Sequence, residues 1–190
     1  MKIGTTLHAK NRMEWRRWLA KHHDEATEIW LIYYKKASGK PRIPYNDAVD
    51  EALCYGWIDS ILKPIDARRY AQRFSPRRPT SRLSEMNRER VRRLIAARRM
   101  TRAGLDSIQH VFDERRDTRK TLKSAIPADI LKRLRQDPAV WRNFQRFPES
   151  YKRIRIGWIA AARHRREAFE QRLRYFLKMT AQNKRFGMVQ

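Results

Sequence analysis

The stretch from Glu51 to Asn87 combines acidic, basic and large aromatic side chains in a way that local structure alone does not require. It reads EALCYGWIDSILKPIDARRYAQRFSPRRPTSRLSEMN. Arginine beside a carboxylate suits the binding of an anion, and a carboxylate held by a positive group can also act as an acid or a base. This stretch is therefore the candidate site of the chain.

The first hypothesis for this stretch is an anion-binding site made of arginines and a helix N-terminus. Guanidinium groups and the free N–H groups at the start of a helix both suit phosphate or carboxylate. In the alternative interpretation, the helix cap already satisfies those N–H groups and the arginines are solvated. The sequence leaves both interpretations open. The candidate residues are Arg73, Arg77, Arg78, Ser84, Asn87 and Arg90.

The second hypothesis is a pocket around Trp57, Asp59 and Tyr70. Trp57 and Asp59 are two residues apart in a predicted strand, so their side chains face the same side. An aspartate on an aromatic side needs a partner, and we expect Arg73 or Arg77 to supply it. Functionally, Asp59 then orients an arginine toward an anion, or serves as the base of an enzyme that acts on a small acidic substrate. Structurally, the same pair only fixes the hairpin.

Other catalytic and cofactor signatures are missing from the sequence. Cys54 lies at a predicted helix C-terminus, where the helix dipole opposes a thiolate, so we expect a buried structural thiol. The five histidines show no metal-ligand spacing beyond the adjacent pair at 22 and 23. With six glycines, the chain has no P-loop, dinucleotide-binding motif or nucleophile elbow. These observations favour a non-catalytic protein without metal or cofactor.

The net charge is the unusual quantity of this composition. The 190 residues include 45 Lys and Arg against 20 Asp and Glu, a formal charge of +25. Residues 1–66 carry 11 basic and 9 acidic side chains, whereas residues 67–123 carry 18 and 6, and residues 124–190 carry 16 and 5. Such a basic field attracts polyanions, so we expect nucleic acid as partner, ahead of anionic lipid or another protein. An arginine-biased composition without function is the alternative.

Cysteine content and hydropathy indicate the compartment. A single cysteine rules out an internal disulfide and fits a reducing environment. The N-terminal residues MKIGTTLHAKNRMEW lack the apolar core of a signal peptide, and no window approaches 18 apolar residues. The expectation is a cytoplasmic protein without a transmembrane segment.

The elements that position these residues read as α+β. Asn11 caps a predicted helix through His22, a strand follows at 28–36, and a helix at 44–55 stops at Gly56. The predicted hairpin has strands at 57–65 and 68–75. Ser84 caps the next helix and another is predicted over 103–112. The fold class is a small antiparallel sheet packed with helices, followed by an all-helical C-terminal region.

The domain boundary is predicted from a change in composition. Residues 113–124, DERRDTRKTLKS, are charged and lack apolar periodicity. We therefore divide the chain into an α+β domain at 1–112, a charged linker at 113–125 and a helical domain at 126–190.

These motifs together resemble the YdeI/OmpD-associated, or bacteriocin-protection, family of small bacterial proteins. The first half resembles it through WLAKHH, EIWLIYYKK, YNDAVDEALCYGWIDS, RFSPRRPTSRLSEMN and MTRAGLDSI. The helical part resembles it through IPADILKRL and DPAVWRNFQRFPESYKRIRIGWIAAA. The resemblance implies a role in stress or resistance to bacteriocins and cationic antimicrobial peptides, and association with an outer-membrane porin. It implies no reaction, cofactor or catalytic residue.

Three residues of the first half depart from the family pattern, and in the helical part Glu167-Ala168-Phe169 stands in place of Glu-Thr-Arg. Pro44 stands in place of a Ser or Thr cap, and Leu83 in place of Trp. Arg98 stands where glycine usually ends the helix, so we expect the turn before Met100 to differ. The charge adds a constraint on mechanism: a strongly basic protein has no natural affinity for cationic peptides, so any protection is indirect.

Overall fold

The structure is a computed structural model that describes residues 2–113 and 126–187. Within these ranges there are four strands, eight α-helices and one 3-10 helix at Lys36–Ser38. The strands are β1 (Thr6–Leu7), β2 (Ile29–Tyr34), β3 (Trp57–Pro64) and β4 (Arg69–Pro76). The helices are α1 (Arg12–His22), α2 (Tyr45–Cys54), α3 (Glu85–Ala96), α4 (Arg102–Asp106), α5 (Ala128–Arg135), α6 (Pro138–Arg146), α7 (Glu149–Ala160) and α8 (Arg166–Ala181).

The sheet confirms the α+β class and corrects the expected strand pairing. The strand order is β1-β2-β4-β3. β3 and β4 form the antiparallel hairpin that the sequence predicted, and β2 pairs antiparallel to β4. β1 pairs parallel to β2 through Thr6 with Trp30 and Leu7 with Leu31, so the sheet is mixed rather than purely antiparallel. A strand of two residues has no alternation of apolar side chains, which is why the sequence did not predict β1.

Both faces of the central strand β2 are covered. Ile29, Leu31 and Tyr33 belong to the main core of the first half, whereas Trp30 and Ile32 form a smaller cluster with Ala71. All five of these β2 residues are buried, which explains the nearly uninterrupted apolar run. The main core also includes Trp15 and Leu19 of α1, and Ala48, Val49, Ala52 and Leu53 of α2.

The predicted helix starts agree with the structure, but one helix is shorter than predicted. The Asn11 side chain accepts a hydrogen bond from the backbone N–H of Glu14 at 3.0 Å and caps α1. The predicted helix over 103–112 is wrong beyond Asp106, where α4 ends. The Ser107 hydroxyl donates a hydrogen bond to the Gly104 carbonyl at 2.8 Å. Turns follow α4, and the Ile108 side chain within them is buried. A hydroxyl that bonds back to the main chain competes with the helical ladder.

The turn after α3 keeps the left-handed conformation that usually belongs to glycine. Arg98 has φ 53°, its N–H donates to the Ile95 carbonyl at 2.8 Å, and the Arg99 N–H donates to the Leu94 carbonyl at 2.9 Å. This is the Schellman pattern with arginine at the C′ position. The expected change of turn is therefore wrong: the geometry is that of a glycine-ended helix.

The chain divides into two compact units. The first comprises Met1–Arg82 and Arg90–Phe112, and the second Leu83–Glu89 and Asp113–Gln190. The predicted linker at 113–125 lies, apart from Asp113, outside the described residues. None of the helices in the described ranges is both long and apolar enough to span a membrane. The core of the second unit contains Ile130, Leu134, Val140, Phe144, Phe147, Tyr151, Ile156, Ile159, Leu173 and Phe176.

Candidate anion-binding site

Two adjacent carboxylates on α2 are buried in the first unit. Asp50 is 1% exposed and Glu51 is fully buried. A buried carboxylate is costly unless ion pairs and hydrogen bonds compensate for its lost hydration. Guanidinium groups provide that compensation from three directions. We define the arginine cluster as Arg12, Arg16, Arg90, Arg93 and Arg99.

Glu51 receives three of these guanidinium groups. Arg16 Nη1 lies 2.6 Å from Oε2, and Arg99 Nη2 lies 2.5 Å from Oε1. Arg12 Nε donates to the same Oε1 atom. Charge-assisted bonds of this length are about twice as strong as neutral ones. The glutamate therefore joins α1 to the segment that follows α3.

Asp50 receives the remaining arginines. Arg90 Nη1 lies 2.8 Å from Oδ1, and Arg93 Nη2 lies 2.6 Å from Oδ2. Arg12 Nη2 approaches Oδ2 at 3.8 Å. Arg90 also donates to the side-chain oxygen of Asn46 at 2.6 Å. Arg90 is buried, and its pairing with Asp50 and Asn46 makes it a structural member of the cluster.

Helix geometry places the arginines on common faces. Arg12 and Arg16 are four residues apart on α1, and Arg90 and Arg93 are three apart on α3, so each pair shares one side of its helix. Arg99 follows the left-handed turn at Arg98, beyond the end of α3. Local structure thus determines which side chains can meet the two buried acids.

Four of the clustered arginines keep part of their surface in solvent. The side chain of Arg93 is 57% exposed, that of Arg99 36%, that of Arg16 33% and that of Arg12 29%. Burial, the largest single effect, lowers the pKa of Arg16, but the hydrogen bond from Arg16 to Glu51 and the charge of that carboxylate, with smaller effects of Tyr55 and Cys54, together raise it. A guanidinium has five N–H donors, and the buried acids occupy one or two of them. The cluster therefore presents fixed positive groups to solvent.

The expected pair of Asp59 with Arg73 is wrong. Asp59 lies opposite Phe74 in the β3–β4 ladder, so Arg73 points to the other face of the sheet. Arg73 Nε instead pairs with Glu28 Oε2 at 2.6 Å, and this bond lowers the pKa of Glu28. Asp59 Oδ2 accepts from the Tyr45 hydroxyl at 2.7 Å. Strand alternation therefore separates Asp59, the base of the enzyme hypothesis, from Arg73, its expected partner.

The other two pocket candidates are packing residues. Trp57 is 1% exposed in the main core, and its Nε1 donates to the His23 carbonyl at 3.0 Å. The Tyr70 ring stacks on Tyr33 with centroids 5.2 Å apart and an interplanar angle of 5°. The Tyr70 hydroxyl accepts from Arg42 at 3.1 Å. The structure brings neither residue together with Arg73.

Arg77 and Arg78 differ in their surroundings. Arg77 is 9% exposed, and its Nη2 donates to the Arg82 carbonyl at 2.9 Å. Burial lowers its pKa. The Asp59 carboxylate is not its partner, so the expected pairing with Arg77 is also wrong. Arg78 is exposed. Of these two, Arg78 alone is available on the surface.

Ser84 and Asn87 have the capping relationship that the sequence predicted. The Asn87 N–H donates to Ser84 Oγ at 3.2 Å at the start of α3. Both residues belong to the second unit, whereas Arg73, Arg77 and Arg78 belong to the first. The cap takes up one of the N–H groups proposed for an anion, as in the structural interpretation.

Cys54 is a buried free thiol, as the sequence predicted. Burial, followed by the charge of Glu51, raises its pKa to about 11. A thiol with that pKa is protonated at neutral pH and is not a nucleophile. Among residues 2–113 and 126–187, no group of three or more His, Cys, Asp or Glu side chains is arranged to hold a metal ion.

Two family models match the chain in separate regions. Residues 7–107 match a model described as a domain of unknown function, DUF8412, which covers more than half of the chain. The chain belongs to the DUF8412 family. Residues 123–183 match a model described as bacteriocin-protection, YdeI or OmpD-associated. No curated protein and no solved structure gave a match.

The second match confirms the resemblance to the YdeI/OmpD-associated family in the helical part of the chain. The motifs from WLAKHH to MTRAGLDSI lie in the DUF8412 region instead, apart from the final residue, Ile108. The whole arginine cluster also falls in that region. The candidate site is therefore a feature of the DUF8412 part of this chain.

The arginine cluster was not predicted as a unit, and Arg90 was its one member among the candidates. The sequence pattern points the other way. Asp50 and Glu51 lie between the inward-facing Val49 and Ala52, and at 3.6 residues per turn these two positions fall on the opposite side of the helix, which usually faces solvent. The burial of both acids therefore depends on tertiary packing, as does the choice of the arginines that pair with them.

Proposed function

We propose that this DUF8412 protein is a non-catalytic protein that binds nucleic acid through its arginine cluster. The observation that carries the proposal is the arrangement around Asp50 and Glu51. Two buried acids hold Arg12, Arg16 and Arg99 in fixed positions while part of each side chain stays in solvent. Preorganised guanidinium groups lose little side-chain entropy when they bind a phosphate.

The overall charge supports a polyanion as the partner. The chain carries +25, and 23 of these charges reside after residue 66. Binding of phosphates by many arginines releases condensed counterions, which favours a long phosphodiester chain over a single small anion. Anionic lipid and acidic protein are the competing partners, and the experiment below includes the lipid.

The biological role follows from the family match of the helical part. We propose that protection against bacteriocins or cationic antimicrobial peptides is indirect and acts through the nucleic-acid partner in the cytoplasm. Direct capture of a cationic peptide conflicts with the sign of the charge. An association with an envelope protein has only the family description in its favour.

The test is the salt dependence of binding to fluorescent RNA and to a DNA duplex. The variant is Arg93→Gln/Arg99→Gln. These two arginines are the most exposed of the cluster, and both acids retain other partners: Arg90 still pairs with Asp50 and Arg16 with Glu51. The matched control is Arg17→Gln/Lys21→Gln, which removes the same charge from exposed positions of α1. Unfolding curves of all three proteins report on the fold.

The expected result is a log–log salt slope that becomes shallower by about two in the cluster variant, since each lost phosphate contact removes roughly 0.9. The salt slope of the control variant should differ from that of wild type by less than about half of the change expected for the cluster variant. Equal slopes for the two variants would refute the cluster as the binding site. Binding to phosphatidylglycerol vesicles without binding to either nucleic acid would refute the proposed partner.

A further inference from the structure

The second unit contains a cavity of about 470 Å³ between the first turn of α3 and α7. Its walls are mostly apolar, from Leu83, Met86, Ile154 and Trp158. A cavity of this size and composition suits a small organic molecule. The complete lining is Leu83, Ser84, Glu85, Met86, Ile154, Arg155, Gly157, Trp158 and Ala161.

Arg155 brings an unusual polar group to this lining. It is 6% exposed, and its Nε–H has no hydrogen-bond partner among the described residues. Its Nη2 donates to the Phe186 carbonyl at 2.7 Å, and the guanidinium carbon lies 4.4 Å from the centre of the Phe186 ring. These contacts fix the guanidinium but do not neutralise it. No carboxylate among the described residues forms an ion pair with Arg155, and a buried cation in this situation favours the approach of an anion.

The start of α3 adds a second source of positive potential to the same lining. The first intrahelical bond runs from the Arg88 N–H to the Ser84 carbonyl at 2.9 Å, and Ser84 Oγ caps the Asn87 N–H. The N–H group of Met86 therefore has no acceptor within the helix. Met86 lines the cavity, at the positive end of the helix dipole.

Glu85 sets the charge balance of the cavity. Its carboxylate lies 3.4 Å from Arg88 Nε. Gly157 makes the close packing of this side chain possible, because a Cβ atom there would collide with Glu85 Cβ and Cγ. Glu85 thus opposes an anion in the same lining where Arg155 attracts one. Replacement of Arg155 and replacement of Glu85 should therefore have opposite effects on the affinity for a negatively charged ligand.

We propose that this cavity binds a small amphiphilic acid, whose apolar body packs on Trp158 and Met86 and whose carboxylate faces Arg155 and the start of α3. The chemical class is a medium-chain aliphatic or an aromatic carboxylic acid. This site is independent of the nucleic-acid proposal, since all its residues belong to the second unit and the arginine cluster to the first.

The test uses two fluorescent probes that differ by one sulfonate group. Anilinonaphthalene sulfonate and phenylnaphthylamine share an apolar body, but only the first carries an anion. The full-length protein is titrated with each probe, and decanoate and decanol are then compared as competitors. The variants are Arg155→Met, Glu85→Gln and Ala161→Phe, the last of which places a ring at the exposed rim of the cavity. Arg142→Met removes the same charge from an exposed position of α6.

The expected result is displacement of the anionic probe by decanoate and not by decanol. Arg155→Met should raise the Kd of the anionic probe about tenfold, which is the effect of losing one charged hydrogen bond. The Kd of the neutral probe should change by less than about twofold. Glu85→Gln should lower the Kd of the anionic probe, and Ala161→Phe should raise the Kd of both probes. Arg142→Met should leave both Kd values unchanged.

Two outcomes would overturn the proposal. If Arg142→Met weakens the anionic probe as much as Arg155→Met, the probe only pairs with the basic surface. If Ala161→Phe leaves both probes bound as in wild type, the binding site is not this cavity. Because Ala161→Phe leaves Arg155 unchanged, it remains informative even if Arg155→Met fails to fold.

Discussion

Arg99 donates a hydrogen bond of 2.5 Å to the buried carboxylate of Glu51, 48 residues earlier in the chain. The same carboxylate binds Arg16 on α1, whose Nη2 also donates to the Arg99 carbonyl at 3.2 Å. A single buried acid therefore fixes two arginines against each other. In a chain with an excess of 25 positive charges, this acid stabilises the fold and orients the positive groups that we propose bind nucleic acid.

Replacement of Glu51 by glutamine should destabilise the first unit strongly. The change leaves Arg12, Arg16 and Arg99 close together without their shared counter-charge, and breaking a buried ion pair costs about 3–5 kcal/mol. The measurement is the free energy of unfolding in urea, followed by tryptophan fluorescence.

The control for this prediction is Asp47→Asn. Asp47 pairs with Arg12 at 3.3 Å, but its side chain is 35% exposed, so its loss should cost less than about 1 kcal/mol. Equal losses for the two variants would show that burial of the Glu51 carboxylate does not decide the energetics of the cluster.

Local signals in the sequence predicted most of the secondary structure. Asn11 as a cap, Gly56 as a stop and the alternation around the hairpin each act over a few residues, and each is found in the structure. Gly56 has φ 77°, a conformation that glycine adopts without strain. The helix that ends at Asp106 was predicted too long, since a propensity does not reveal where the Ser107 hydroxyl bonds.

Tertiary pairing is where sequence reasoning failed. Asp59 and Arg73 are 14 residues apart and seemed natural partners, but the hairpin register places them on opposite faces of the sheet. The register depends on the irregularity between Asp59 and Leu62, which no residue pattern marks. The cluster around Glu51 likewise joins residues 35–48 positions apart, and with 45 basic side chains the choice of partner is not encoded locally.

Replacement of Arg98 by glycine should stabilise the first unit. A left-handed conformation costs a non-glycine residue about 1–2 kcal/mol, whereas glycine loses about 0.5–1 kcal/mol of extra chain entropy, so the expected net gain is about 0.5–1 kcal/mol. Urea unfolding measures the gain. Ala97→Gly is the control, because Ala97 lacks a positive φ and the change should destabilise. A loss of stability in Arg98→Gly would mean that the arginine side chain contributes more than its backbone strain costs.

The ion pair of Glu28 with Arg73 should make the stability of the first unit depend on acid pH. The bond from Arg73, followed by that from Trp30, lowers the pKa of Glu28 below its ordinary value of 4.5. A carboxyl whose pKa is lower in the folded state contributes its full stabilisation of the fold at pH values above its pKa in the unfolded state. This contribution disappears as the pH falls through its pKa in the folded state.

At neutral pH, Glu28→Gln should therefore reduce the free energy of unfolding by about 1 kcal/mol, and the difference from wild type should vanish as the pH falls well below 4.5. Urea unfolding across this pH range measures both values. A difference for Glu28→Gln that stays constant with pH would assign the effect to side-chain packing instead of charge.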